Sequence, residues 1–217
     1  MLLLQSFYNR PTLKVAQELL GCFLCRRLGE IIRCKIVETE AYCGSDDKAS
    51  HASKGRTERT QVMFGPPGYV YVYLVYGLHY MLNIATERKN YPAAVLIRAV
   101  EPVNDIQNFH QKEAPLLRGG GLGGSEVLIK TNQPTLREKA VDKPNLFVAN
   151  GPAKLTKFLQ INKFLNNKPI FTKKHGLWIE SGEPVPPSQI MRAPRIGVDY
   201  AGEYKNKLWR FYLSPHL

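Results

Sequence analysis

The chain has 217 residues, of which 44% are hydrophobic and 22% charged, which is ordinary for a globular protein and enough to bury a substantial core in one domain. Its 30 Lys and Arg outnumber 18 Asp and Glu, and the resulting charge of +12 favours a partner with a phosphate backbone over a neutral one. No apolar run approaches the length of a membrane span, and Met1 to Leu4 is too short and lacks the basic leader of a signal peptide, so we expect a cytoplasmic protein without a membrane partner.

The first half of the chain predicts one helix followed by strands. Pro11 opens the helix, predicted over residues 11–21, and Gly21 closes it. Apolar runs punctuated by glycines then predict strands over residues 22–28, 31–42, 69–76, 78–86 and 93–100. The long polar connection between the second and third strands is of the kind that often carries function.

The second half is less regular at first. Residues 104–149 show no clear periodicity, and their glycine-rich stretch 117–125 lacks the Lys and Ser/Thr ending of a phosphate-binding loop, so a flexible basic surface loop is predicted. After it come a predicted helix over 152–161 and strands over 176–180, 190–198 and 208–213. We expect an α/β (α+β) fold, a single domain over residues 1–217 with a curved, mostly antiparallel sheet flanked by helices.

All four cysteines lie in the first fifth of the chain. Cys22 and Cys25 have the spacing of a zinc knuckle or a redox pair, but no second pair follows to close a metal site. On a strand the two side chains would also point to opposite faces. Reduced thiols packed as small apolar side chains are therefore predicted.

Two carboxylates stand close together in the second predicted strand. Glu38, Glu40 and Tyr42 share one face of it, with neighbours on that face about 6.6 Å apart. One carboxylate of such a pair can stay ionised while the other titrates at higher pH, which suits acid/base chemistry. The same spacing fits the polar side of an edge strand, or a glycoside hydrolase. The charge of +12 gives no reason to act on a neutral sugar.

Two polar residues interrupt apolar strands. Arg98 lies within residues 93–100, and a buried guanidinium needs an acidic partner, for which Glu38 or Glu40 is the natural choice. Asn83 lies within the strand 78–86, where it either satisfies backbone groups or contacts the edge of a ligand.

Aromatic residues cluster before and within the predicted hairpin of strands 69–76 and 78–86. Tyr69, Tyr71 and Tyr73 form a stripe on one face, which fits core packing or a platform for a ligand. His51 alone indicates no more than a hydrogen-bonded histidine. Tyr76 precedes Gly77 near the hairpin tip, and an exposed aromatic there could fill the gap that an extruded nucleotide leaves in a duplex.

Together these residues resemble the alkyladenine (3-methyladenine) DNA glycosylase family, in the same order and at nearly the same spacing. The first half matches at Val37 to Tyr42, His51, Met63-Phe64, Tyr71 to Tyr73, Tyr76-Gly77, Asn83-Ile84 and Leu96 to Pro102. The second half matches at Asn150 to Leu155, Pro194 to Val198 and Trp209 to Tyr212. The resemblance covers nearly the whole chain apart from residues 104–149. It implies a fold like that of the C-terminal domain of methionyl-tRNA formyltransferase.

The resemblance also implies residue roles in catalysis. Glu40 matches the general base that activates a water to attack C1′ of a flipped nucleotide, and Arg98 and the backbone carbonyl of Ile196 match positions that hold this water. Tyr42 on one side, with His51 and Tyr73 on the other, would sandwich the extruded base. The matched site has no lysine nucleophile, no metal and no cofactor, so an abasic site without a strand nick is the expected product.

Further positions match residues that choose the base and hold the duplex. Asn83 would clash with the exocyclic amino group of guanine, and Tyr76 would enter the minor groove. Leu78 and His79 follow Tyr76, where vertebrate relatives carry a different apolar-aromatic pair that contacts the strand opposite the lesion.

The resemblance implies a monomer in the bacterial cytoplasm, acting on double-stranded DNA with a damaged purine: 3-methyladenine, 7-methylguanine, hypoxanthine or ethenoadenine. The alternative is a non-catalytic nucleic-acid-binding domain of the same fold. Such a domain has no need for a carboxylate aimed at a water, so the presence of Glu40 with Arg98 and Tyr42 argues against it.

Overall fold

The computed structural model describes residues 1–103 and 149–214. In these ranges a single antiparallel sheet carries most of the regular structure. Its strands are β1 Phe23–Leu28, β2 Glu30–Cys43, β3 Val70–Val75, β4 His79–Ala85, β5 Ala93–Pro102, β6 Ala149–Asn150, β7 Leu177–Glu180, β8 Ile190–Ala193 and β9 Arg210–Leu213. The α-helices are α1 Gln5–Tyr8, α2 Thr12–Glu18 and α3 Pro152–Phe158. Short 3-10 turns cover His51–Lys54, Gln61–Phe64, Lys163–Leu165, Lys173–His175, Pro187–Gln189 and Asp199–Asn206.

The long strand β2 organises the sheet. The strand order is β3-β4-β5-β2-β1-β7, and β6 pairs with β5. On the side of β2 away from β5, β1 pairs with residues 30–35, while β9 pairs with residues 38–40 and in turn with β8. The register with β5 shifts on both sides of Glu38, which is the irregularity of a β-bulge and can redirect a side chain.

The polar residues in the second half of β2, between β5 and β9, are buried. Glu38 is 3% exposed and Glu40 is 0% exposed, so the edge-strand interpretation of this carboxylate pair is wrong. The helix α2 packs on the sheet at this point, where the Thr39 hydroxyl donates to the Ala16 carbonyl over 2.8 Å. Glu38 and Glu40 are therefore held within the core.

A single α+β domain with an open, mostly antiparallel sheet and few helices is confirmed for the described residues. The first predicted helix is shorter than expected, running only from Thr12 to Glu18, and α1 was not predicted. The strand predicted over 190–198 ends at Ala193, because Pro194 has no N–H to continue the ladder. Of the region predicted as irregular, residues 104–148 and the glycine-rich stretch within them lie outside the described residues.

Two other expectations concern the same ranges. All four cysteines carry free thiols, and burial raises the pKa of Cys25 to about 11 and that of Cys34 to about 12, so both stay protonated at neutral pH. The prediction of reduced cysteines is confirmed. Among the described residues, no helix is both long enough and apolar enough to cross a membrane.

Candidate active site

The register of the sheet lines up the site residues across five strands. Tyr71 pairs with Asn83, Asn83 with Leu96, Leu96 with Glu40, and Glu40 with Arg210. Directly paired residues of antiparallel strands point to the same face, so this row presents one phenol, one amide, one carboxylate and one guanidinium on one side of the sheet. Arg98 lies two residues after Leu96 and shares that face.

A cavity of about 550 Å³, which we call the base cavity, opens over this row. Residues from β2, the β2–β3 connection, the β3–β4 hairpin, β5 and the segment after β8 line it. The lining includes all four residues that were predicted to bind a base: Tyr42, His51, Tyr73 and Asn83. It also includes Tyr76, Arg98 and Ile196. The fold thus brings this set of residues together around one cavity, and their roles stay predictions.

Glu40 lies directly behind the cavity wall and has no exposed surface. Its Oε1 accepts from the backbone N–H of Ile196 over 2.9 Å and lies 3.3 Å from Arg98 Nη1. Its Oε2 accepts from the Tyr42 hydroxyl over 2.8 Å. Two hydrogen bonds and one ion pair therefore hold the carboxylate, so at least one of its roughly four lone-pair positions remains free.

Arg98 lies between the two glutamates. Its Nε donates to Glu38 Oε1 over 3.1 Å while its Nη1 faces Glu40, so the predicted choice between Glu38 and Glu40 resolves to both. Arg210 from β9 also donates to Glu38 Oε1, over 2.9 Å. Two guanidiniums therefore balance two carboxylates, and Glu38 Oε1 fixes both Arg98 and Arg210.

Burial sets the protonation behaviour of Glu40 and Tyr42. Loss of solvation raises the pKa of Glu40 above its usual range, against the opposing effects of Arg98, the Ile196 N–H and the Tyr42 hydroxyl. Burial, followed by the charge of Glu40, raises the pKa of Tyr42 well above its ordinary value. Tyr42 thus remains a hydrogen-bond donor at neutral pH, and the raised pKa makes the Glu40 carboxylate a stronger base than an exposed one.

Part of the cavity wall is aromatic. The rings of His51 and Tyr73 meet edge to face at 4.5 Å, and Arg59 stands 5.0 Å from the Tyr73 ring centre. His51 Nδ1 lies 3.0 Å from the Tyr71 hydroxyl. Burial, with the nearby charges of Arg59 and Lys54, lowers the pKa of His51 to about 4. The ring is neutral at pH 7, and if Nδ1 accepts the Tyr71 proton, Nε2–H is a donor.

Asn83 satisfies a backbone group, which is the first of the two alternatives predicted for it. It is 3% exposed, and its amide nitrogen donates to the Tyr71 carbonyl over 3.2 Å. It also lines the base cavity, and its contact with the edge of a ligand stays a prediction.

The β3–β4 hairpin ends in an exposed aromatic, as the sequence predicts. Tyr76 is 92% exposed, and both Tyr76 and Gly77 have positive φ, at 51° and 71°. The Leu78 N–H closes the turn by donating to the Val75 carbonyl over 3.0 Å. A left-handed backbone costs a residue with a Cβ roughly 1–2 kcal/mol, so this tip holds its tyrosine at an energetic cost. Leu78 is 74% exposed and His79 is also exposed, next to Tyr76.

The position of Ile196 differs from the sequence expectation. It does not lie on a strand but follows β8, 53% exposed, and its contact with Glu40 is made by the backbone N–H. Gly197 follows with φ of 73°, a conformation that a strand would not allow. The role predicted for the Ile196 carbonyl stays a prediction.

Sequence reasoning missed a buried ion pair behind the site. Arg195 donates to both carboxylate oxygens of Asp47, over 2.6 and 2.8 Å, and to the Ala41 carbonyl over 2.9 Å. Its guanidinium carbon lies 4.7 Å from the Tyr42 ring centre, and neither side chain of the pair is exposed. The buried Arg195 guanidinium thus packs against the Tyr42 ring. Because Arg195 directly precedes Ile196, the ion pair also fixes the backbone at Ile196. No local pattern signals a pair separated by 148 residues.

Sequence reasoning also missed Tyr200, which is 70% exposed at the mouth of the base cavity. The residue belongs to the Asp199–Asn206 turn and was assigned no role.

Within residues 1–103 and 149–214, no group of three or more His, Cys, Asp or Glu is arranged to hold a metal ion.

The chain is similar to known proteins over nearly its whole length. The family model described as methylpurine-DNA glycosylase matches residues 6–216. A protein of Methanocella arvoryzae is 44% identical over 209 residues, covering 96% of this chain and 90% of its own. Proteins of Natranaerobius thermophilus and Desulfitobacterium hafniense are 38% and 40% identical, each covering 97% of this chain and 94% of its own. All three bear the name "Putative 3-methyladenine DNA glycosylase". The chain therefore belongs to the methylpurine-DNA glycosylase family.

Proposed function

We propose that this protein is a monofunctional DNA glycosylase that flips alkylated or deaminated purines out of duplex DNA and cuts their N-glycosidic bond. The observation that carries the proposal is the buried carboxylate of Glu40, held by two hydrogen bonds and the Arg98 ion pair behind a cavity with aromatic walls. The cavity is of the size that encloses a small organic ligand. The excess of basic residues suits the DNA backbone.

In the proposed reaction Glu40 acts as general base. It takes a proton from a water that attacks C1′, so that a C1′–O bond forms as the bond from C1′ to the base nitrogen breaks. The products are a free base and an abasic sugar. Glu40 has no exposed surface as the side chains stand, so water reaches it only when a neighbouring donor shifts. A nucleotide entering the cavity would contact these groups, because Tyr42, Arg98 and Ile196 all line it.

Recognition of the base would rest on the cavity walls. Tyr42 on one side and the His51–Tyr73 pair on the other would stack on its two faces, and the neutral His51 would hydrogen-bond its edge. Asn83 on the cavity floor would exclude the exocyclic amino group of guanine. Damaged purines cost less to unstack, and cationic alkylpurines are better leaving groups, so binding and chemistry would select together. Candidate substrates are 3-methyladenine, 7-methylguanine, hypoxanthine and ethenoadenine.

Insertion into the duplex falls to the hairpin tip. Tyr76 would enter the minor groove and fill the gap left by the extruded nucleotide, with Leu78 and His79 beside it on the opposite strand. An exposed aromatic held in a costly backbone conformation supports this role. Monomeric action and the likeness to the C-terminal domain of methionyl-tRNA formyltransferase stay predictions, as does one domain over residues 1–217.

Replacing Glu40 by Gln tests the catalytic proposal, because it removes the base and keeps the shape. We expect excision from a hypoxanthine or ethenoadenine duplex to fall by about 10²–10⁴-fold, the usual range for loss of an acid or base. Binding of the damaged duplex should persist. The matched control is Glu18→Gln, which changes a half-exposed glutamate on α2. Loss of both binding and excision in the Glu40 variant alone would show that Glu40 is structural.

The alternative, a non-catalytic nucleic-acid-binding domain, predicts a different result. Such a domain would bind DNA through the basic surface and Tyr76, and the unmodified protein would release no base from any of the four lesions. The buried Glu40 carboxylate, held by two hydrogen bonds and an ion pair, would have no use in such a domain. We therefore favour the enzyme.

A further inference from the structure

A second cavity, of about 320 Å³, adjoins the base cavity and shares Ser50, His51, Arg59 and Tyr200 with it. We call it the basic cavity. Its remaining walls come from the β2–β3 connection, including the 3-10 turn His51–Lys54. The exposed Tyr200 ring lies at the junction, with its hydroxyl 3.4 Å from the Ala49 carbonyl.

Among the described residues, the lining of the basic cavity carries only positive charge. Lys48, Lys54 and Arg59 line it, and none of the described residues that line it is an Asp or Glu. Within the described part of the chain, none of these three cations has a carboxylate within salt-bridge distance, unlike Lys173 with Glu180. Ser53 and Thr57 add hydroxyl groups to the same wall. Cations gathered without a counter-charge raise the local positive potential and attract an anion.

The size and position of the cavity select the anion. A carboxylate could also pair with these cations. The basic cavity, however, adjoins the base cavity, which would hold a purine. In a nucleotide the sugar alone separates the base from its phosphates. A phosphodiester, with two non-bridging oxygens and one charge, matches ammonium, guanidinium and hydroxyl donors.

We propose that the basic cavity binds a backbone phosphate of the damaged strand, next to the nucleotide whose base enters the base cavity, with Lys48 and Lys54 as its principal cations. This inference rests on the proposed function. It adds that the β2–β3 connection grips the strand on the lesion side, while Tyr76 acts from the hairpin. The low pKa of His51 agrees with it, because Lys54 and Arg59 already disfavour a charged imidazole there.

The test removes the charge of single DNA phosphates and the charge of the two lysines, separately and together, and compares the affinities. The duplex carries a tetrahydrofuran abasic analogue, which cannot be cleaved, and single methylphosphonate linkages replace in turn the two phosphates flanking it and the next one on each side. Affinities are measured for the unmodified protein and for Lys48→Ala/Lys54→Ala. Lys35→Ala is the control, because Lys35 lines a separate cavity and lies on β2 seven residues before Tyr42, roughly 23 Å along the strand.

At one linkage, methylphosphonate should weaken binding of the unmodified protein by about tenfold, as expected for charge-assisted hydrogen bonds, and that of the double variant by less than about twofold. The double variant should also lower the slope of log K against log salt by about 0.9, the value for one phosphate. The Lys35 variant should retain the full methylphosphonate effect. These results would support the site.

Equal methylphosphonate effects in all three proteins at every position would overturn it. A second result would also overturn the proposal: inorganic phosphate displaces the DNA better than chloride of equal ionic strength, while the methylphosphonate effect is the same in the unmodified protein and the double variant. That result would indicate a site for a small phosphate ligand. The proposed function fails separately: if the unmodified protein excises no lesion yet shows the coupling, the phosphate site stands alone. Excision without coupling would leave the glycosylase and remove the phosphate site.

Discussion

The Asp47–Arg195 pair allows a quantitative prediction, because both side chains are fully buried. The Asp47 carboxylate accepts from both terminal nitrogens of Arg195 and from the backbone N–H groups of Cys43 and Ala49. Asp47→Asn keeps the size but removes the charge, and it turns an N–H₂ group toward donors. Removing one partner of a buried ion pair leaves the other charge uncompensated and costs about 3–5 kcal/mol. A domain of ordinary stability has about 5–15 kcal/mol in total.

Urea unfolding measures this loss. With a slope of about 2 kcal/mol per molar urea, the midpoint of Asp47→Asn should fall by about 1.5–2.5 M. The control is Glu18→Gln, where the pairs with Arg10 and Lys14 are partly exposed and are worth less than about 1 kcal/mol each. A loss below about 1 kcal/mol in Asp47→Asn would refute the reasoning.

The same variant carries a functional consequence. Arg195 supports the Tyr42 ring and adjoins Ile196, whose N–H holds Glu40. Excision should therefore slow in Asp47→Asn under conditions where the protein remains folded, with a larger change in kcat than in KM. Arg26→Lys serves as the structural control, because Arg26 also donates to two backbone carbonyls, those of Leu159 and Gly176, outside the base cavity. An equal loss of kcat in both variants would indicate general destabilisation.

Two further predictions concern pH and the hairpin. The His51 pKa of about 4 in the folded protein lies below its ordinary 6.5, so the unfolded state binds more protons between these pH values. The free energy of unfolding should therefore rise as pH increases from about 4 to 6.5. His51→Gln should flatten that rise in urea titrations across pH, and an unchanged rise would contradict the prediction. Tyr76→Ala should weaken duplex binding by about 5- to 150-fold, as expected for loss of about 1–3 kcal/mol of stacking, with a much smaller effect on single strands. Phe164→Ala, which removes another aromatic that is 77% exposed, is the control, and equal losses on both DNA forms would remove the wedge role.

Local pattern was enough to predict the centre of the site. Strand periodicity placed Glu38, Glu40 and Tyr42 on one face, and the burial cost of a guanidinium predicted that Arg98 must meet these carboxylates. The glycine after Tyr76 predicted the hairpin tip. These are short-range features, in which the side chain and its conformational signal lie within a few residues of each other.

Contacts between distant segments could not be predicted in this way. Ile196 reaches Glu40 through a backbone N–H, which has no side-chain signal, and the strand prediction for 190–198 gave it the wrong conformation. From the sequence, neither Arg195 nor Asp47 was assigned a role. Only the packing of the segment after β8 against the β2–β3 connection makes them a buried pair.

The central claim is excision without strand cleavage, and one assay tests it most directly. Duplexes carrying a single hypoxanthine, ethenoadenine or 3-methyladenine are incubated with the protein, and scission of the damaged strand is compared with and without hot alkali. The account predicts scission only after alkali, together with release of the free base. Scission without alkali would reveal a lyase nucleophile that the proposed site lacks, and no base release from any of the lesions would contradict the glycosylase itself.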